Sequence, residues 1–247
     1  MKILVVNCGS SSLKYQLFDM TDRNVIAKGK IERIGQRGSK LVIDIPRVEK
    51  PEILEPVDSF KQAVSLMLKV LTDKITGSIE SVEEIASIGH RVVHGGDKFT
   101  GPVMVDKAVK KSIEILSDLA PLHNLAALEG IKAFEKVLPD KDQVAVFDTS
   151  FHQTIPRKAY LYSIPYRYYE KYGVRKYGFH GSSHRYVALR AAEVLNKNPE
   201  DLKLITCHLG NGASVTAVDG GRSVDTSMGF TPLEGLTMGT RSGDLDP

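Results

Sequence analysis

The sequence has little cysteine, little net charge and no long hydrophobic run. Its two cysteines, Cys8 and Cys207, lie far apart, which excludes a disulfide framework and a four-cysteine zinc site and favours a reducing cytoplasm. The 33 basic and 30 acidic residues leave a net charge of +3, too small a bias to indicate a nucleic-acid partner by itself. No apolar stretch approaches the ~18 residues of a membrane span, so we expect no membrane association.

The remaining composition is that of a globular protein. Hydrophobic residues make up 42% and charged residues 26% of the 247 positions, which excludes a disordered chain, a collagen and a coiled coil. At about 150 residues per domain, this length corresponds to one large or two modest domains.

Strand patterns alternate with helix patterns, which predicts an α/β fold. Predicted strands cover Ile3–Val6, Leu13–Phe18, Asn24–Ile31, Leu41–Ile45, Gln143–Phe147, Leu202–Cys207, Ser214–Val218 and Arg222–Val224. Predicted helices cover the run after the Ser59 cap to Leu71, residues 106–118, residues 124–137 opened by Asn124, and the run after a Ser182 or Ser183 cap to about Asn196.

Two small polar loops, each bearing glycine, are expected to bind phosphate. One spans Gly9–Ser12 and the other Gly210–Ser214, and each joins two predicted strands. Glycine lets several backbone N–H groups point the same way, which suits an anion. The repetition suggests a duplicated domain with one loop in each half. Lys14 follows the first loop and either places a positive charge on a phosphate or is an ordinary solvated strand residue.

Several charged and polar residues stand where active sites are often built. Arg91 and Arg241 are assigned to glycine-containing loops, and His180 to a loop that supplies hydrogen-bond donors. Two arginines beside two phosphate loops suggest neutralisation of charge during phosphoryl transfer. Asp148 and Asn7 end predicted strands, where open α/β sheets place ligands, although Asp148 could equally cap a turn.

Two competing interpretations carry less weight. The pairs His90/His94 and His180/His184 have a spacing that can bind zinc on a helix, but neighbouring glycines argue against helices there. Seven of the nine tyrosines fall between Tyr160 and Tyr177 among basic residues, which could stack single-stranded nucleic acid. Such a cluster is more often a packed surface or a subunit interface, so we expect no nucleic-acid partner.

Six segments, in order along the chain, resemble the signature motifs of the acetate kinase family. They are Val5–Lys14, Gly89–Gly96, Phe147–His152, Tyr177–His184, His208–Gly212 and Met238–Asp244. The resemblance implies a duplicated ribonuclease H-like fold of the actin-like ATPase type, with domains at 1–150 and 151–247, and a homodimer. Family members are longer, so we expect this chain to be a fragment with an incomplete second domain, lacking most of the adenosine pocket and an acidic magnesium ligand.

The resemblance also implies a reaction, in which ATP and acetate reversibly give ADP and acetyl phosphate with Mg²⁺. Arg91 would hold the carboxylate, Arg241 and His180 would stabilise the transferred phosphoryl group, Asp148 would be catalytic, and Asn7 would help position the metal. The nucleotide phosphates would be bound by Lys14, His208, Leu209, Gly210, Asn211 and Gly212. The acetate methyl pocket would be Val93, Leu122, Phe179 and Pro232, beside Arg91. A propionate or butyrate kinase, or an inactive nucleotide-binding or scaffold protein, are the alternatives.

Overall fold

The computed structural model describes residues 1–44, 52–75 and 77–246 and confirms the predicted α/β class. It contains two compact units. Unit 1 comprises Met1–Val92 and Val103–Val146, and unit 2 comprises Val93–Pro102 and Phe147–Pro247. The predicted domain division at residue 150 stays a prediction. Within the described ranges, no helix combines the length and the hydrophobicity needed to cross a membrane.

The described part of unit 1 is built on an eight-stranded sheet in the order β5-β4-β3-β2-β1-β6-β8-β7. Its strands are β1 (Lys2–Gly9), β2 (Ser12–Asp19), β3 (Asn24–Glu32), β4 (Lys40–Asp44), β5 (Glu52–Leu54), β6 (Ile85–Val92), β7 (Val103–Met104) and β8 (Asp142–Phe147). Leu13, Tyr15 and Leu17 of β2 alternate toward the core, as the period-2 pattern predicts. The sequence did not reveal β5, β6 or β7, and Ile45 of the predicted fourth strand lies outside the described residues.

The described part of unit 1 also contains three α-helices: α1 (Phe60–Leu71), α2 (Lys107–Ile115) and α3 (Pro121–Val137). The Ser59 hydroxyl accepts the Gln62 N–H, so the predicted cap of α1 is confirmed. The prediction that Asn124 opens α3 is wrong, because the helix begins at Pro121. Proline suits the first helical position, where its missing N–H has no partner to lose.

The assignment of Arg91 to a loop is also wrong, since Arg91 lies within β6. The buried residues Ile88, His90 and Val92 alternate along this strand and face the core. The His90 ring packs edge-on to Phe134 with centroids 5.4 Å apart, so it fills a core position. Burial lowers the pKa of His90 to about 4, which keeps the ring neutral at pH 7.

Unit 2 contains the antiparallel sheet β11-β10-β9. Its elements are the short helices α4 (Arg157–Tyr160) and α5 (Arg167–Tyr172), the longer helix α6 (Gly181–Leu195), and the strands β9 (Lys203–Leu209), β10 (Ala213–Asp219) and β11 (Arg222–Thr226). Helix α6 packs against β9.

Helix α6 starts at Gly181 and not after a cap at Ser182 or Ser183, as the sequence suggested. His180 precedes it in the left-handed region, with φ 57°. The Gly181 N–H donates to the Asp148 carbonyl at 2.9 Å, and a Cβ at Gly181 would overlap that carbonyl. The absence of a side chain therefore lets the helix begin directly against the residue that follows β8.

Candidate active site

The first glycine-bearing loop joins β1 to β2, as predicted. Gly9 pairs with Ser12 and Asn7 pairs with Lys14 across the two antiparallel strands. Asn7 and Lys14 therefore lie side by side, and both line an open groove of about 530 Å³ in unit 1. This face of the sheet offers an amide oxygen next to an ammonium group, a combination that suits a phosphate and its counterion.

The second glycine-bearing loop joins β9 to β10, with Leu209 paired to Ala213. The Gly210 N–H donates to the Gly212 carbonyl at 3.1 Å, which closes the loop tightly. The Asn211 carbonyl accepts the Gly239 N–H at 3.1 Å, so the loop is fastened to the turn that carries Arg241.

Gly212 lies beside the Arg241 guanidinium and the His180 imidazole. A Cβ built on Gly212 would stand 2.7 Å from Arg241 Nη2 and 3.3 Å from His180 Nε2. The His180 ring stacks on His208, with centroids 4.0 Å apart and planes inclined by 24°. We name His180, His208, Gly212 and Arg241 the His–Arg cluster. The structure thus brings together four predicted site residues from three separate segments.

Local hydrogen bonds hold the Arg241 and His208 side chains of this cluster in place. Arg241 Nε donates to the Met238 sulfur at 2.9 Å, within a turn closed by the Met238 N–H on the Arg241 carbonyl. His208 Nδ1 lies 2.8 Å from the Ser183 hydroxyl, on the first turn of α6. Ser183 was predicted only as a possible cap of α6, and its contact with His208 was not anticipated.

Asp148 follows β8 and is 1% exposed. Its backbone carbonyl meets the start of α6, directly after His180. Next to it, the Thr149 hydroxyl accepts the Gly95 N–H at 3.0 Å. Asp148 is therefore a buried residue at the end of a strand, and its backbone meets the N-terminus of α6.

The residues expected to surround the acetate methyl group are divided between the two units. Val93 and Phe179 are buried in unit 2, and His94, which follows Val93, packs edge-on to Phe179 with centroids 5.5 Å apart. Pro232 is half-buried in the same unit. Leu122 belongs to unit 1, as does Arg91, and its side chain is 71% exposed.

Two neutral histidines support the backbone and side chain of His180. Burial lowers the pKa of His152 to about 4 and that of His184 to about 3. His152 Nε2 lies 2.9 Å from the Phe179 carbonyl, and a carbonyl can only accept, so Nε2 carries the proton. This bond fixes the residue immediately before His180.

In the tyrosine-rich segment, arginine side chains lie over the rings of nearby tyrosines. The Arg175 guanidinium lies 3.7 Å from the Tyr160 ring centroid, and Arg157 lies 4.9 Å from that of Tyr166. Arg175 is also buried. These cation–π contacts are those of a packed surface, one of the two interpretations of this segment.

We expect the two cysteines to differ sharply in reactivity. Burial raises the pKa of the Cys8 thiol to about 12, so it stays protonated at pH 7, whereas Cys207 is exposed. Titration of the native chain with a chromogenic disulfide should show one fast thiol, and a second only after denaturation. The Cys207→Ser variant should lose the fast phase. A fast phase that survives this substitution contradicts the assignment.

The strand–helix architecture of the chain, with one glycine-bearing hairpin loop in each unit, is that of an actin-like ATPase fold. The Acetokinase family profile matches residues 2–247, and the chain belongs to that family. The predicted fold and the resemblance are thereby confirmed.

The similarity extends over the whole chain. It is 58% identical over 247 residues to an acetate kinase of Carboxydothermus hydrogenoformans. The crystal structure of Porphyromonas gingivalis acetate kinase is 49% identical and matches all of this chain with a TM-score of 0.96. A propionate kinase structure from Francisella tularensis matches all of it at 43% identity with a TM-score of 0.92. The chain spans 62% of the length of each of these three relatives.

Proposed function

We propose that the natural protein containing this sequence transfers the γ-phosphoryl group of ATP reversibly to acetate, giving acetyl phosphate and ADP. The observation that carries the proposal is the His–Arg cluster, found in a chain 58% identical to a named acetate kinase. The guanidinium and the imidazole both face the Gly212 backbone of a phosphate loop. A transferred phosphoryl group spreads negative charge over its oxygens, and cationic donors fixed in advance stabilise that charge.

The acceptor needs no general base. A carboxylic acid with a pKa near that of Glu, about 4.3, is already ionised at pH 7, so no proton has to be removed before attack. The task of the protein is to cancel repulsion between two anions and to align them. We therefore assign Asp148 an orienting role, Arg91 the carboxylate, and Arg241 with His180 the phosphoryl oxygens. Lys14 and His208 to Gly212 are proposed to bind the nucleotide phosphates.

Mg²⁺ is proposed as the metal, with Asn7 as one ligand. Among the residues that the structure describes, no group of three His, Cys, Asp or Glu side chains could hold a metal. The amide oxygen of Asn7 is a hard donor of the kind that Mg²⁺ takes together with carboxylates, substrate phosphates and water. The chemistry that Mg²⁺ would supply there is neutralisation of the negative charge on the phosphates. A homodimer and a cytoplasmic location are proposed from the family resemblance, and the two free thiols support a reducing compartment.

Acetate should be preferred over longer acids. With hydroxylamine as the trap, we expect acyl hydroxamate from acetate, ATP and Mg²⁺, and lower kcat/KM with propionate and butyrate. One methylene in an apolar pocket changes the transition-state energy by only about 1–3 kcal/mol, so the preference should be about 10–200-fold per methylene. Mixtures without ATP are the control. No acyl phosphate from any of the three acids would refute the proposed function.

A propionate kinase is the second candidate, because the Francisella tularensis propionate kinase structure matches the entire chain. The same assay separates the two candidates, since that assignment requires kcat/KM for propionate to exceed the value for acetate.

A further inference from the structure

A buried series of hydrogen-bonded hydroxyl and imidazole groups ends at His180 Nδ1. His180 Nδ1 lies 2.8 Å from the Ser214 hydroxyl oxygen, and the same oxygen lies 2.7 Å from His184 Nε2. His184 Nδ1 lies 2.8 Å from the Thr206 hydroxyl oxygen, which in turn reaches the Thr216 carbonyl at 3.4 Å. Ser214, His184 and Thr206 are all buried.

The contact of Thr206 with the Thr216 carbonyl determines which group donates and which accepts in each of these hydrogen bonds. A carbonyl oxygen only accepts, so the Thr206 hydroxyl donates to Thr216 and accepts from His184 Nδ1–H. Burial lowers the pKa of His184 to about 3, so the ring is neutral and its Nε2 carries no proton. His184 Nε2 therefore accepts the proton of the Ser214 hydroxyl.

The Ser214 hydroxyl has a single proton, and that proton is donated to His184. Toward His180 the Ser214 oxygen can then only accept, and His180 Nδ1 must be the donor. The opposite direction would leave the contact between Thr206 and the Thr216 carbonyl unused. Only this direction employs all four contacts.

We propose that Ser214 and His184 are positioning residues that hold His180 in the Nδ1-protonated form and leave Nε2 as the nitrogen that exchanges its proton. The proposal rests on the proposed function for its catalytic meaning. Nε2 lies on the side of the Gly212 backbone and Arg241. With Nδ1 already protonated, an Nε2 that donates to a phosphoryl oxygen belongs to an imidazolium, so His180 acts on the substrate as a cation.

Nitrogen-15 spectroscopy of the histidine rings tests the proposal without any activity assay. In the uniformly labelled chain, correlations of ring nitrogens with ring carbon-bound protons report the tautomer of each histidine, and a His180→Gln variant assigns His180. We expect neutral His180 and His184 both to carry the proton on Nδ1. A His180 with its proton on Nε2 in the unsubstituted chain overturns the proposal, whatever the variants do.

The Ser214→Ala variant removes the link, and Ser223→Ala is its matched control. The Ser223 hydroxyl oxygen is also buried and also lies 2.8 Å from a histidine Nδ1, that of His152. We expect Ser214→Ala to shift neutral His180 toward the Nε2-protonated form, whereas Ser223→Ala leaves His180 unchanged. An unchanged His180 spectrum in folded Ser214→Ala overturns the proposal.

Catalysis provides a second readout on the natural protein. Losing a group that orients a catalytic side chain should lower kcat about 10–100-fold, with KM for acetate changed less than about threefold. The Ser214→Thr variant keeps the hydroxyl and should restore both the tautomer and the rate. If the unsubstituted protein makes no acyl phosphate, the proposed function fails, and the ring spectra still decide the tautomer.

Discussion

Replacing Arg241 by Ala should lower kcat by about 10²–10⁴, a loss within the range found when a single electrostatic stabiliser or an arginine finger is removed. The guanidinium stands beside the backbone of Gly212, together with His180 Nε2. Its contribution is expected to grow as charge spreads over the transferred phosphoryl group, so KM for acetate should change less than about threefold. Initial rates measured at saturating ATP and Mg²⁺ separate the two parameters.

Arg190→Ala is the matched control for Arg241→Ala. Arg190 lies on α6, is exposed, and pairs with Glu193 one helical turn away, so its loss removes the same charge from the same unit. Its kcat should match the unsubstituted protein. Arg241→Lys keeps the charge but loses the fork of donors and should fall between the two. An Arg241→Ala enzyme with unchanged kcat and a raised KM would exclude a transition-state role.

Local patterns were enough to predict both glycine-bearing hairpin loops. The partial alternation in β2 and a short polar break after Gly9 indicate a hairpin, and the register of that hairpin puts Asn7 beside Lys14. The same reasoning holds for β9 and β10 around Gly210–Gly212. These features depend on residues close in sequence, for which period and turn chemistry are reliable.

Strands defined by distant partners were missed. The segment around Arg91 contains Gly89 and is followed by Gly95 and Gly96. When this segment is considered alone, its glycines favour a loop. Parallel pairing with β1 makes it the strand β6, and Phe134 fills the space beside His90. Sequence separation explains the error, because β1 is more than 70 residues away along the chain.

The residues of the His–Arg cluster were predictable from the sequence, but the hydrogen bonds that connect them to their neighbours were not. Motif resemblance pointed to His180, His208 and Arg241, whereas the role of Ser214 depends on three-dimensional register. Pairing of Thr206 with Thr216 and of His208 with Ser214 puts their side chains on one face of the sheet, where α6 adds His184. Considered alone, each of these residues is typical of an ordinary strand or helix position, so the sequence does not indicate that they are hydrogen-bonded to one another.

Replacing Gly212 by Ala should lower kcat by about 10²-fold, the effect of misplacing a catalytic group by roughly 1 Å. The new methyl group would lie 2.7 Å from Arg241 Nη2, closer than nonbonded atoms tolerate, and 3.3 Å from His180 Nε2. Gly212 is not among the glycines with positive φ, so its backbone accepts alanine. The atom that yields is the end of a flexible arginine, so the free energy of unfolding should change by less than about 0.5 kcal/mol.

Two further variants identify Arg241 as the group through which Gly212→Ala acts. At Gly101 an added Cβ meets nothing within 4 Å, so Gly101→Ala should match the unsubstituted enzyme in kcat and in melting temperature. The double variant Gly212→Ala/Arg241→Ala should be within about twofold of Arg241→Ala alone, because the methyl group has no guanidinium left to displace. Losses that multiply in the double variant would mean that the methyl group harms catalysis independently of Arg241, by distorting the loop or by moving His180.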